Sequence, residues 1–337
     1  MTTTRHDRLR RTGVTVLQIA AVAALYFASG KLGLLQQLVR GQVTPLWPPT
    51  GIALAGLLLI GPRIWPGIAL GAFLINVSLG PTLAAASVIT AGNTLAPLCS
   101  YALLRRAGFR TRIDRYQDAL ALVFLGGLTG TLISATVGSG ILLLAHALPA
   151  GAFWPTWWVW WTGDATGVLV LTPVLLVLRS ARRPRRTPPS RWEEGTLLAA
   201  ATLGFGLLAN APVPLLFLAF PLLIWAAFRF QLTGAAPCAL AVSLSAILAA
   251  TRRTGPFVGH SLLTDMIALQ AFNGAAAMTA LLLSAAVTER NETLRKIEET
   301  CRRLAELATA IASDAGGPSA PPDDRDDAGE SDGPARP

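Results

Sequence analysis

The sequence is poor in charge, cysteine and histidine. Charged residues make up 14% of its 337 residues, whereas soluble domains run nearer a quarter. That excludes a chain bathed in water on all sides. Three cysteines do not make a disulfide framework: Cys99 and Cys238 lie in apolar runs, and Cys301 follows the last one. With three histidines and no clustered Cys or Glu inside the apolar runs, no metal site is expected. There is no phosphate-cradling Walker loop, no HExxH, no nucleophile elbow and no CxxC pair, so no catalytic activity is expected. The net charge of +9 comes from arginines gathered in a few loops, not from a nucleic-acid-binding module, and no nucleic-acid partner is expected. The residues name no cofactor.

What the sequence does have is apolar length. Hydrophobic residues account for 52% of the chain, and the mean hydropathy is +0.51. Several runs reach the roughly 20 residues needed to cross a bilayer. The pattern predicts an all-α integral membrane protein, a polytopic bundle of about 8–10 transmembrane helices, several of them short and proline-broken. The runs are Val14–Leu35, Pro49–Ile60, Trp65–Leu79, Leu83–Leu104, Asp118–Leu148, Phe153–Leu178, Gly195–Ala209, Val213–Phe228, Gly234–Ala250 and Leu262–Val287. The first is too long for a signal-peptide core, so no cleavable leader is expected. The second, third, seventh and eighth are short enough to be tilted or re-entrant, which leaves eight and ten spans both open.

Basic residues set the expected orientation. Arg5, Arg8, Arg10 and Arg11 precede the first run, and Arg105, Arg106, Arg110, Arg112 and Arg115 follow the fourth. Arg179, Arg182, Arg183, Arg185, Arg186 and Arg191 follow the sixth, Arg229 the eighth, and Arg290, Arg295 and Lys296 the tenth. An even span count places all five groups on one side, which the positive-inside rule makes cytoplasmic, with both termini there too. Arg40, Arg252 and Arg253 are the exceptions.

The expected organisation is a basic cytosolic N-terminus over 1–13, a membrane domain over 14–290, a short heptad helix over 291–313 and an acidic, Pro/Gly-rich disordered tail over 314–337. In the heptad helix Leu294, Ile297, Cys301, Leu304, Ala308 and Ile311 recur at spacings of three and four, an apolar seam under three heptads long. Such a seam is too short to hold a coiled coil by itself, and a homodimer is the simplest pairing. No later segment is long enough for a catalytic domain.

Two segments could carry chemistry. In Leu46-Trp47-Pro48-Pro49-Thr50-Gly51 the proline pair fixes two φ angles and sets a rigid helix start, while Trp47 suits the headgroup layer. In Trp157-Trp158-Val159-Trp160-Trp161-Thr162-Gly163-Asp164 the tryptophans exceed what an interfacial belt requires. Asp164 lies inside an apolar run, where an ionisable group marks either a functional cavity or a structural pair. Gly163 and Gly167, four apart, would let another helix approach it closely. Of the other polar groups, Asn76 and Asn93 are candidate ligand contacts, although lone amides more often join helices. The candidate ligand site is therefore Trp47, Pro48, Thr50, Asn76, Asn93, Trp161 and Asp164, entered from the outer face. Asp118 reads as a helix N-cap, His146 as interfacial, and Arg229 as a topology determinant or the partner of a buried carboxylate.

These residues also carry a resemblance. Trp47-Pro48-Pro49-Thr50-Gly51, Gly61-Pro62-Arg63-Ile64-Trp65-Pro66-Gly67 and Leu70-Gly71-Ala72-Phe73-Leu74-Ile75-Asn76 resemble the opening of the first-class membrane-associated sensor domain, the MASE family. The likeness continues through Ala91-Gly92-Asn93-Thr94-Leu95, Ile133-Ser134-Ala135-Thr136-Val137-Gly138, and Trp160 to Leu169 with Thr172-Pro173. It closes on Phe228-Arg229-Phe230 and Gly255-Pro256-Phe257. The resemblance implies a sensory input module of a bacterial inner (plasma) membrane, which detects an unidentified stimulus and relays it through its last helix. Its expected partners are the lipid bilayer, a second copy, and a separate cytosolic kinase or cyclase of two-component or cyclic-di-GMP signalling. The alternative is a transporter with an intramembrane site around Asp164.

Overall fold

The computed structural model describes residues 2–35, 44–80, 82–181, 190–211, 215–259 and 262–315. The expected acidic tail beyond 315 and Arg40, Arg182, Arg183, Arg185 and Arg186 lie outside them.

The described residues are helical throughout. The elements are α1 (Thr2–Leu34), α2 (Pro48–Ile60), α3 (Trp65–Val77), α4 (Leu83–Arg106) and α5 (Tyr116–Ala121). A π-helical segment, Leu122–Thr129, joins α5 to α6 (Leu132–Leu144). There follow α7 (Phe153–Ala181), α8 (Ser190–Leu208), α9 (Ala219–Phe230), α10 (Leu232–Thr251) and α11 (Leu262–Ala315). Each apolar run of the sequence corresponds to one of these helical stretches. Six stretches, among the described residues, are long and apolar enough to cross a membrane, and Pro48–Ile60 and Leu216–Phe230 are shorter apolar helices.

Local chemistry explains the ends. Pro48 and Pro49 occupy the first turn of α2, where a missing N–H would have had no partner. Gly61, at φ 105°, stops α2, and a one-turn 3-10 helix, Pro62–Ile64, reverses the chain into α3. At 13 residues each, α2 and α3 reach only about 20 Å. Thr82 caps α4 by accepting from the Ala85 N–H at 3.3 Å. Pro97, Pro173 and Pro237 lie inside α4, α7 and α10.

The surface is apolar and the interior holds the polar groups, the inverse of a protein in water. Leu17, Leu25, Leu74, Leu203, Leu207 and Ile267 are exposed, while Thr50, Ser134, Asp164 and Asn273 are buried. One core cluster joins α1, α2 and α3 through Tyr26, Leu57, Ile68 and Ile75. A second gathers α2, α4, α5, α7, α10 and α11 around Leu54, Leu122, Val168 and Leu281. A third joins α8, α9, α10 and α11 around Leu223, Ile247 and Leu269.

The chain divides into two compact units, Met1–Arg290 and Asn291–Pro337. In the second, Leu294, Ile297, Leu304 and Ile311 are exposed, as is Cys301. Ion pairs Arg303–Glu299 at 2.5 Å and Arg302–Glu306 at 3.8 Å run along the helix.

Candidate functional site

Small residues let the start of α2 lie directly on α7. A Cβ on Gly167 would fall on the Trp47 carbonyl oxygen, one on Gly163 on that of Thr44, and one on Gly51 on that of Gly167. The Trp47 N–H, at the N-cap of α2 with no upstream turn to pair with, donates to the Gly163 carbonyl at 3.0 Å. The Thr172 hydroxyl donates to the Gly51 carbonyl at 3.0 Å. Gln270 of α11 donates to the Pro45 carbonyl at 3.0 Å and accepts from Thr166 at 3.2 Å. Three segments distant in sequence are thus fastened around one point.

That point is Asp164, which is 1% exposed. Thr50 Oγ1 lies 2.6 Å from its Oδ1, and Ser134 Oγ lies 2.5 Å from its Oδ2. The Trp160 indole also faces the carboxyl group, with its ring over Gly138, where a Cβ would collide with it. Tyr26 of α1 is fully buried, and its hydroxyl has no hydrogen-bond partner among the described residues. It looks toward Asp164, Trp47 and Asn93. No described Lys, Arg or His forms an ion pair with Asp164.

The structure gathers part of the sequence-read set. Thr50 touches Asp164 directly, and Trp47 and Asn93 border the same space through Tyr26. Pro48 packs instead toward Gly33 of α1, as does the half-buried Trp47 ring. Asn76 is buried but donates to the Ala72 carbonyl of its own helix at 2.8 Å. Trp161 donates to the Leu128 carbonyl in the π segment at 2.8 Å. Sequence reasoning left Ser134, Tyr26, Trp160 and Gln270 out of the candidate site, although Trp160 belongs to the tryptophan cluster and Gln270 is one of the polar groups in the apolar runs. Ser134 looks like any helical serine until packing places it 30 positions away in sequence and 2.5 Å away in space from Asp164.

The π segment ties into the same network. Its exposed carbonyls are taken up by side chains: Gly126 O by Ser100 at 2.8 Å, Gly127 O by Thr131 at 2.5 Å, and Leu128 O by Trp161. Single π turns inside α-helices recur at functional positions because they leave such carbonyls to be bonded otherwise.

At the other end of this stretch the charges cluster. Asp118 sits within the first turn of α5, with Arg115 at the cap position, so it is not the N-cap. It accepts from the Arg110 N–H at 3.0 Å and from the Arg115 guanidinium at 3.0 and 2.8 Å, and donating to Asp118 holds Arg115 above its usual range. Glu289 of α11 accepts from the Tyr116 N–H at 2.9 Å, placing a carboxylate at a helix start. Arg229 pairs with Glu194, and His146 is exposed in the turn after α6.

The MASE1 family profile matches residues 16–291. The chain is also 28% identical over 195 residues to a protein of Escherichia coli K12 described as a probable diguanylate cyclase, DgcE. That stretch is 56% of this chain and 17% of the relative. No solved structure matches. The chain belongs to the MASE1 family: it is a multi-pass membrane sensor domain, and the domain is non-catalytic.

Proposed function

We propose that the bundle over 14–290 is the input half of a cyclic-di-GMP signalling system, with the cluster around Asp164 as its responding site and α11 as its relay. The observation that carries this reading is the buried Asp164 carboxyl, held by hydroxyls of α2 and α6 where three distant segments meet. A stimulus acts by favouring one of two helix arrangements through its differential affinity for them. The stretch from Ser134 through the π segment to Tyr116, which meets Glu289 of α11, gives the change a way to the cytosolic face. The candidate ligand contacts are Thr50, Asp164, Trp47 and Asn93, with Pro48, Asn76 and Trp161 supporting them from neighbouring positions. The seam Leu294, Ile297, Cys301, Leu304, Ala308 and Ile311 pairs with a second copy and presents the signal to a diguanylate cyclase output. Both termini are cytoplasmic in this reading, supported by the five basic groups on one side of the membrane.

The test measures cyclic-di-GMP in bacteria expressing the intact chain, the Asp164→Asn variant, or a chain ending at Arg290. The intact chain should change the nucleotide level and each variant should abolish that change. Photocrosslinking from Asn291–Ser313 in native membranes should recover a cyclase only when the tail is present. Equal nucleotide levels in all three strains, together with solute uptake by proteoliposomes that Asp164→Asn abolishes, would replace sensing with transport.

A further inference from the structure

The hydrogen inventory around Ser134 fixes more than a contact. Ser134 Oγ lies 2.9 Å from the Thr131 carbonyl oxygen and 2.5 Å from Asp164 Oδ2. A serine hydroxyl has one hydrogen, and a carbonyl oxygen has none. The hydrogen between Ser134 and Thr131 therefore belongs to Ser134. A neutral Asp164 supplies the hydrogen of the 2.5 Å contact itself, whereas an ionised one takes it from Ser134, which then has none for Thr131. Thr50 supplies its own hydrogen to Oδ1, which a neutral carboxyl group accepts on its carbonyl oxygen. With Asp164 neutral both contacts of Ser134 hold a hydrogen of their own; with Asp164 ionised the single hydroxyl hydrogen serves only one of them.

The surroundings agree. An unpaired carboxylate within an apolar bundle is costly, and no described cation pairs with this one. Close helix contact at Gly51, Gly163 and Gly167 leaves backbone against backbone beside the carboxyl group. Of the elements packed around it, α2 and α6 present hydroxyls, α7 an indole, and α1 the one titratable group facing it, Tyr26.

We infer that the ligand of this site is a proton: Asp164 carries it in the present arrangement, and its release to water rewires the hydrogen bonds at the start of α6. On release the O–H bond of Asp164 breaks, water takes the proton, and both carboxylate oxygens become acceptors. Ser134 then turns its hydrogen from Thr131 to Asp164, leaving the Thr131 carbonyl with the Ala135 N–H alone. Thr131 follows the π segment and binds its Gly127 carbonyl at 2.5 Å, so proton occupancy is read where the helix is least regular. This inference rests on the sensory reading in taking the Asp164 cluster as the responding site.

The experiment is infrared spectroscopy of the full chain in lipid nanodiscs of phosphatidylethanolamine and phosphatidylglycerol. At neutral pH the spectrum should hold a protonated-carboxyl C=O band, above the carboxylate bands in wavenumber, that D164N removes. Ser134→Ala should keep the band and move it to higher wavenumber, because the acceptor of the Asp164 proton is gone. Thr50→Val should move it the same way, and serves if the serine variant fails to insert. Absence of a D164N-sensitive band, or a band that neither hydroxyl variant moves, overturns the inference. Loss of the band on adding sodium or potassium chloride at fixed pH also overturns it, making the site a metal-cation exchanger. Cyclic-di-GMP measurements separate the two readings. A D164N-sensitive band with nucleotide levels indifferent to D164N sinks sensing and keeps the proton. No band with nucleotide levels that still respond sinks the proton and keeps sensing.

Discussion

Two buried polar regions of the bundle differ in how they are paired. Around Asp164 the side chains of Thr50, Ser134, Thr166, Thr172 and Gln270 all have partners. On α10 and α11, Asn273 and Ser243 are fully buried, yet both amide atoms of Asn273 and the Ser243 hydroxyl have none among the described residues. Ser284, further along α11, is in the same condition. Inside a bundle each unmet polar atom costs on the order of 1–3 kcal/mol. The paired region therefore resists displacement, because shifting α2 against α7 breaks several bonds at once. Asn273 and Ser284 of α11 lose no side-chain hydrogen bond when they shift, and any new partner is a gain, whereas Gln270 and Glu289 hold the same helix to its neighbours. The contrast sets a densely paired region between α2, α6 and α7 against unmet polar atoms on α10 and α11.

The largest effect should come from filling the α2–α7 contact. Gly167→Leu drives a side chain into the Trp47 carbonyl and should cost about 1–3 kcal/mol or more, seen as a lost monodisperse peak in detergent chromatography. Next, Asp164→Leu strands the hydroxyl of Thr50 and leaves Ser134 with the Thr131 carbonyl alone. It should lower thermal stability in detergent by about 1–3 kcal/mol, with Asp164→Asn milder because it can still accept from Thr50. Asn273→Leu should act with the opposite sign, leaving stability unchanged or raising it by on the order of 1 kcal/mol. A loss as large as that of Asp164→Leu would erase the difference between the two regions. Glu289→Gln removes the carboxylate at the start of α5 and should cost about 0.3–1 kcal/mol, with faster hydrogen exchange at Tyr116. Smallest for stability is Leu304→Asp, within about 0.5 kcal/mol. It should nevertheless abolish disulfide crosslinking between copies through Cys301, and undiminished crosslinking would remove the seam from the dimer.

Most of the fold was legible because a bilayer constrains each segment separately. Every spanning segment must be apolar and must satisfy its own backbone, so the ten runs could be read one at a time. Misreadings arose where a neighbour decides. Asp118 carries the side chain of an N-cap, but Arg110 and Arg115 draw it into an ion-pair cluster one turn inside. The π segment could not be read at all: Leu122–Thr129 is as apolar as an ordinary span, and its departure from the α pitch depends on Ser100 and Trp161 taking its carbonyls.

The sequence by itself determined that this chain lives in a membrane, how many apolar stretches it has, and that one of them carries an aspartate beside two glycines. Those facts follow from transfer free energies that act residue by residue. Tertiary structure alone decided what the aspartate meets. Thr50 is 114 positions away and Ser134 is 30, and they converge because three glycines without Cβ atoms let α2 settle onto α7. Which hydrogen sits between which oxygens is a property of that packing, since a shift of one ångström turns a shared proton into two unrelated hydroxyl groups.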